Sequence, residues 1–404
     1  MTDFRLLFST RITRMFAYGF LSVSLALYLT SIGLSEQMVG VLFTLTLAGD
    51  AAISLWLTTR ADRFGRRKTL IIGSGLMLMA GIVFALTREP FLLAVAGIIG
   101  VVSPSGKEIG PFLSIEQAAL TQLIPSQRRT QVFAWYNLAG SFATATGALC
   151  GGLLVQALRD GGMDTVGAYR ALVIGYALIG IALAFVFWRM SDKVEAPVAV
   201  AAPAGLLGLG QSRNIVLGLS ALFALDAFAG GFVIDSFLAY WLTSKFGIAP
   251  GALGAVFFAT NLLAGISALV AAPMARRFGL INTMVFTHIP SNVLLILVPL
   301  MPSLPLAVGM LLFRFAISQM DVPTRQSYTM AVVRPEERSA AGGVTGIARS
   351  VGAAISPSLA GPMLASASLL SLPFFIAGGL KIVYDLALYR SFNKNKPPEE
   401  HKEA

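Results

Sequence analysis

The chain has 404 residues, 56% of them hydrophobic and only 12% charged, with a formal net charge of +10. A soluble domain carries roughly twice that share of charge, so a water-soluble globular protein is excluded. The one cysteine, Cys150, excludes an internal disulfide, and with only two histidines the composition argues against a soft transition-metal site.

Apolar runs of about 20 residues or more, each long enough to cross a bilayer core as a helix, recur along the chain. In order, the expected spans are 9–32, 37–60, 67–87, 90–123, 130–157, 168–190, 214–243, 250–276, 281–302, 305–333, 339–365 and 368–391. They predict an all-α membrane protein of twelve transmembrane helices. The first run is too long for a cleavable signal peptide and has no clear cleavage site. The fourth span is interrupted by SPSGKEIGP, residues 103–111, and the tenth by QMDVP, residues 319–323. Proline and glycine there free backbone groups in mid-membrane, which is tolerated where the segment is buried or lines a wet cavity. Such breaks in corresponding helices point to a transporter's binding site, with a packing kink as the alternative.

Residues 191–212, with Pro197, Pro203 and several glycines, read as a linker, and 392–404 as a polar tail. The expected organisation is a six-helix bundle over 1–190, the linker, a second bundle over 213–391, and the tail. With the N-terminus inside, Arg5, Arg11, Arg63, Arg66, Arg67, Lys68, Arg128, Arg189, Arg276, Arg277 and Arg338 fall on the inner face. The outer loops hold only Arg88, Arg159, Arg170 and Lys245. That asymmetry places both termini in the cytoplasm and explains the positive charge without nucleic acid. The expected location is a plasma membrane of the bacterial inner-membrane type.

The halves repeat one another. Gly19-Phe20 returns as Gly231-Phe232, Ala61-Asp62-Arg63-Phe64-Gly65 as Ala275-Arg276-Arg277-Phe278-Gly279, and Glu116-Gln117 as Arg325-Gln326, at offsets of about 209 to 214. A period of half the chain in an apolar sequence points to a duplicated bundle, which suits alternating access.

The loop after the second span, Asp62-Arg63-Phe64-Gly65-Arg66-Arg67-Lys68, resembles the signature loop of the major facilitator superfamily, G-x-x-x-D-R-x-G-R-R/K. Thr58 replaces its leading glycine, and Arg277, Phe278 and Gly279 remain of the second copy. Twelve spans, a central linker and the half-chain repeat extend the likeness over nearly the whole chain. The resemblance implies two pseudo-symmetric six-helix bundles. It also implies a gating role, without substrate contact, for Asp62, Arg63, Gly65, Arg66 and Arg67. Charge-assisted bonds to neighbouring helix ends would make the loop a latch. In the fifth span, Gly147-Ala148-Leu149-Cys150-Gly151-Gly152 resembles the G-P-x-x-G-G end of the superfamily's antiporter motif, with Ala148 in place of proline. This implies export by exchange, although close helix packing alone would also use such small residues.

Ionisable residues inside spans are costly, so each is a functional candidate. Asp235 and Asp226 lead as proton-coupling groups, followed by Asp50, Asp321 and Glu108, since a carboxylate in an apolar cavity can load and release a proton. Glu116, Arg14, Arg349 and Lys381 complete the intramembrane set, and permanent structural bridges are the alternative reading. Lys107, Arg314 and Arg325 lie at the breaks and suit an anionic substrate, because arginine holds carboxylate or phosphate bidentately. The alternative is that Lys107 and Arg325 pair with Asp321 and Glu108 and never meet substrate. Tyr18, Gln117, Tyr136, Asn137, Gln319 and Gln326 are candidates to orient a ligand. His288, alone in the membrane region, reads as structural.

The expected function is a secondary active transporter for a small organic solute, proton-coupled and exporting. An importer or uniporter of the same fold is the alternative. No enzyme motif (G-x-S-x-G, H-E-x-x-H) and no nucleotide-binding loop of the G-x-x-x-x-G-K type occurs. No cofactor or metal is expected, and the working form is expected to be a monomer in the bilayer.

Overall fold

The computed structural model describes residues 2–125, 128–195, 210–334 and 337–393. Most of the predicted linker and nearly all of the tail therefore lie outside the described residues. In order the helices are α1 Thr2–Ser31, α2 Glu36–Phe64, α3 Arg66–Leu86, α4 Pro90–Ile99, α5 Phe112–Leu123, α6 Arg129–Asp160 and α7 Thr165–Trp188. They continue with α8 Arg213–Gly231, α9 Asp235–Phe246, α10 Pro250–Phe278, α11 Leu280–Leu297, α12 Leu304–Ile317, α13 Asp321–Ala331, α14 Arg338–Leu364 and α15 Leu372–Phe392. No strand occurs among the described residues.

Local chemistry sets the boundaries. Ser35 caps α2 by accepting from the Met38 amide at 3.3 Å, and Asp164 caps α7 by accepting from the Gly167 amide at 3.2 Å. Gly65 and Gly279, equivalent in the repeat, turn the chain between α2 and α3 and between α10 and α11 at φ +98° and +85°. Ten of the predicted spans appear as helices, or near-continuous helix pairs, long and apolar enough to cross a membrane. The eleventh is α14, and the fourth is split into α4 and α5 by residues 100–111. The tenth is split into α12 and α13 at 318–320. Pro323 is accommodated in the first turn of α13, where its missing N–H costs no helix bond. The seventh span also divides, into α8 and α9 at 232–234, a break that the apolar run Gly231–Ile234 did not announce.

The chain forms two compact units, Met1–Ala199 with Ile234–Asn261, and Val200–Val233 with Leu262–Ala404. In the first, α1 lies directly on α6. A methyl at Gly19 would sit 2.8 Å from the Thr144 carbonyl carbon, and one at Gly147 2.9 Å from the Phe20 nitrogen. In the second, the repeat-equivalent pair α8 and α14 meets the same way, with a methyl at Gly231 2.7 Å from the Ala353 oxygen. Small residues permit this approach, and dispersion between the backbones holds it in lipid, where no hydrophobic drive acts between helices.

Segment 234–261, which the repeat assigns to the second half, packs within the first unit. Ser236 Oγ donates to the Ser22 carbonyl at 2.6 Å and to the Pro104 carbonyl at 2.7 Å, and its amide donates to Pro104 at 3.1 Å. Tyr240 donates to Glu36 at 2.5 Å. The split of the seventh span frees α9 for these contacts.

Candidate functional site

In the first unit α1 supplies two buried arginines. Arg14 grips Glu116 of α5 bidentately, both contacts at 2.7 Å, and its Nε donates to Glu108 at 2.9 Å. Arg11 pairs with the other Glu108 oxygen. Thr10 at 2.8 Å and Tyr136 also donate to Glu116. Arg14 and Glu116 are fully buried, and their charges are compensated within this cluster. Glu108 thus turns to the α1 arginines.

Residues 100–111 form an irregular strip held at several points. Tyr176 donates to the Val101 carbonyl at 2.5 Å, Ser103 Oγ to the Lys107 carbonyl at 2.8 Å, and Tyr18 to the Ile109 carbonyl at 3.3 Å. The Gly110 amide donates to Asp50 Oδ1 at 2.7 Å, and Ser54 of the same helix α2 donates to that oxygen at 3.1 Å. Gly106 and Gly110 adopt φ +64° and +78°, values that a side chain resists. A methyl at Gly106 would also lie 2.9 Å from both Asp235 Oδ2 and Ser22 Oγ. Asp235, the first residue of α9, therefore sits beside this strip. The helix N-terminus favours its negative charge.

In the second unit Asp226 of α8 binds three cations. Lys381 of α15 lies 2.5 Å away, Arg325 of α13 3.2 Å and Arg349 of α14 3.3 Å. Arg325 also holds Asp321 one turn earlier, at 3.1 Å. One turn beyond Lys381, the buried Asp385 accepts from Asn292 at 3.0 Å and meets His288 Nδ1 at 2.8 Å. His288 pairs with Asp385 and Asn292, and neither Asp385 nor Arg11 figured among the intramembrane candidates. Asp385 is the one acid inside the last predicted span and stands four residues after Lys381, a helical spacing that would have marked it.

Of the proposed ligand-orienting residues, Tyr18 and Tyr136 are buried in the first cluster. Gln319 is engaged locally, its amide with Ser267 at 3.2 Å and its side chain with Ser318 at 3.3 Å. Arg314 stacks over Phe315 at 4.8 Å. Gln117 is half-buried, and Lys107, Asn137 and Gln326 are exposed.

The sequence profile of the Major Facilitator Superfamily matches residues 7–240 and 219–404, nearly the whole chain. The chain belongs to that superfamily. The uncharacterized membrane protein YJR124C of Saccharomyces cerevisiae is 30% identical over 417 residues, covering 96% of this chain and 93% of the yeast protein. A bacterial homolog of the human lysosomal transporter Spinster, solved inward-facing and unoccupied, superposes with TM-score 0.73 at 17% identity, covering 97% of each chain. A D-xylose–proton symporter gives 0.74 at 13% identity, covering 96% of this chain and 97% of its own. The nucleoside transporter NupG gives 0.74 at 14% identity, covering 97% and 99%. This member of the superfamily is an integral membrane transporter of the alternating-access type and not an enzyme.

The superfamily's signature loop is anchored at its basic residues. The Arg66 and Arg67 amides, at the start of α3, donate to Glu195 at 2.6 and 3.2 Å. Arg67 also reaches the Met190 carbonyl at 2.8 Å and Asp192 at 3.5 Å. Arg63 is exposed, and the Asp62 side chain lies outside the described residues. The antiporter-like stretch is accounted for by packing. Gly147 and Gly151 lie on the α1 backbone, and a methyl at Gly152 would meet Gly254 of α10 at 2.8 Å.

Proposed function

We propose that the protein is a proton-coupled secondary transporter of a small organic solute, exporting by exchange, with 1–190 and 213–391 as the moving halves and both termini cytoplasmic. One observation carries the coupling. The protein keeps buried acids at or beside each of its three broken spans, where an apolar packing would be cheaper. Charge that costs this much in lipid is retained for work. The contact of Ser236 with Ser22 and Pro104 is a closure that the cycle must undo, because it fastens α9 to the fourth-span break. The gating role of Asp62, Arg63, Gly65, Arg66 and Arg67 is part of this reading. So is the plasma-membrane location of bacterial type, to which the yeast relative adds a eukaryotic alternative.

The anion reading keeps Lys107, Arg314 and Arg325 as its ligand candidates, with Arg325 also bound by Asp226 and Asp321. Import is the second reading, and two observations favour it. The glycines behind the antiporter resemblance are each explained by a helix contact, and a structural neighbour is a D-xylose–proton symporter.

The test uses purified protein in liposomes with an internal pH dye, challenged with organic anions, cations and neutral amphiphiles with and without a pH gradient. Proton movement tied to one class, with a sign that gives the direction, is expected. Solute flux indifferent to the gradient would remove proton coupling.

A further inference from the structure

The acids of this protein differ in what they face. Glu108 and Glu116 are held by arginines, Asp226 by three cations, Asp321 by Arg325, and Asp385 by His288 and Asn292. All of these but Asp385 pair directly with a fixed arginine or lysine. Asp50 is different. It stands at the centre of α2, about 20 Å of helix from either end, and among the described residues its hydrogen bonds come from the neutral Gly110 amide and Ser54 hydroxyl. Both bonds go to Oδ1, which leaves Oδ2 of this half-buried side chain to take a proton.

Its surroundings carry few other titratable groups. Tyr18 of α1 and Tyr176 of α7 face it, and both phenols are already committed to the carbonyls of Ile109 and Val101. The strip itself contributes Lys107 and Glu108, and Glu108 turns to Arg11 and Arg14. From α5 comes Glu116, saturated by Arg14. α4 has no ionisable residue, and those of α3 are confined to its first turn, Arg66–Lys68. The neighbouring Gly49 fixes α2 on α4, since a methyl there would meet the Ile98 Cα at 2.6 Å. Asp50 therefore cannot drift from the strip when its charge changes.

We propose that Asp50 is the proton-binding group of the transport cycle and acts on residues 100–111 through the Gly110 amide. This rests on the proton-coupled reading above. The ionised carboxylate accepts a charge-assisted bond from Gly110, and that bond weakens to a neutral one when a proton from water binds Oδ2. Gly110 is one of the points at which the strip is held by the rest of its unit, and there the acceptor is a carboxylate whose bonds come from a neutral amide and a hydroxyl. The strip's other side carries the Pro104 carbonyl that seats Ser236, with Gly106 beside Asp235. Protonation at Asp50 thus loosens the seat of α9, which links proton binding to the closure without requiring substrate to touch the acid. Release of the proton restores the Gly110 bond and the seat.

The experiment is hydrogen–deuterium exchange of the peptide covering 100–111 in the full-length protein in lipid nanodiscs, across pH and corrected for the intrinsic exchange rate. In the unaltered protein, protection is expected to fall about tenfold as pH is lowered, the worth of one charge-assisted bond. Asp50→Asn should show the low protection at every pH, and Asp50→Glu should restore a pH response. Ser54→Ala, which removes one donor to the anion, should move the midpoint upward by about one pH unit. It carries the test if Asp50→Asn does not fold, and an unmoved midpoint would then overturn the assignment. A pH response that survives in Asp50→Asn would overturn the role of Asp50 while leaving proton coupling intact. A flat pH profile in the unaltered protein, together with gradient-independent flux in liposomes, would overturn both.

Discussion

In the first unit the arginine of the central bridge stands on α1 and its acid on α5, whereas in the second the acid stands on α8 and the arginine on α13. The positions are equivalent in the repeat. Arg14 and Asp226 are separated by 212 residues, Glu116 and Arg325 by 209, both within the drift of the repeat. The duplicated scaffold therefore retains a bridge between its first and fourth spans while exchanging the signs. The two bridges are also satisfied differently. Glu116 is closed by one arginine and two hydroxyls, and Asp226 is shared among three cations. The first belongs to a balanced cluster, Arg11 and Arg14 against Glu108 and Glu116. The second is a network that can lose a member. A further asymmetry falls beside the first bridge, where the repeat sets Asp50 against the apolar Ala264.

Breaking the first bridge should cost most. Arg14→Ala leaves the buried Glu116 without its cation and should lose about 3–5 kcal/mol, read as a fall in melting temperature in detergent or as loss of the monodisperse peak, with Glu116→Ala costing less because Arg14 keeps Glu108. The pair Arg14→Asp with Glu116→Arg, which copies the second unit's signs, should recover part of that loss. If the exchanged pair is no better than the single variants, the sign is fixed by surroundings that the two units do not share.

The shared network should be more forgiving. Lys381→Met leaves Asp226 with both arginines and should cost about 1–3 kcal/mol, less than Asp226→Asn, which leaves three cations around a neutral amide. Equal losses in the two variants would mean that Lys381 alone balances Asp226. Gly106→Ala forces a side chain into φ +64° against Asp235 and Ser22 and should cost about 1–3 kcal/mol. Limited proteolysis should then show 234–246 opening first, and an unchanged digestion pattern would separate the strip from α9.

The smallest effect concerns Glu337, outside the spans. Slight desolvation opposes the shift, but hydrogen bonds from Ser212 and from the Gly210 and Gln211 amides hold its carboxyl below the ordinary glutamate value of 4.5. Its contribution is therefore present above that value and lost as pH falls through the lower folded-state value. Glu337→Gln should melt slightly below the unaltered protein near neutral pH, with the difference shrinking as pH falls below the ordinary glutamate value. A difference that persists in acid would assign it to packing.

The spans were legible because apolar runs of membrane length have few other uses, and the fourth and tenth breaks because proline, glycine and charge interrupt them. The seventh was not, because Gly231-Phe232-Val233-Ile234 is as apolar as the helices it separates. The intramembrane charges could be read from their cost, but their partners could not. Arg14 and Glu116 are 102 residues apart, and no local pattern distinguishes a paired acid from an acid poised to titrate. Asp50 and Asp226 look alike in the sequence. They separate once one is found beside an amide and a hydroxyl and the other among three cations.

The glutamates that border the linker set a mechanical limit. Glu195 fastens the chain to the Arg66 and Arg67 amides at one end, and Glu337 fastens the Gln211 and Ser212 amides at the other. Between these rivets run residues 196–209, whose fully extended contour is about 50 Å. The segment is in effect a tether of fixed maximum length. It keeps the two repeats at high effective concentration, so that halves expressed as separate polypeptides would need to meet at correspondingly higher abundance to do the same work.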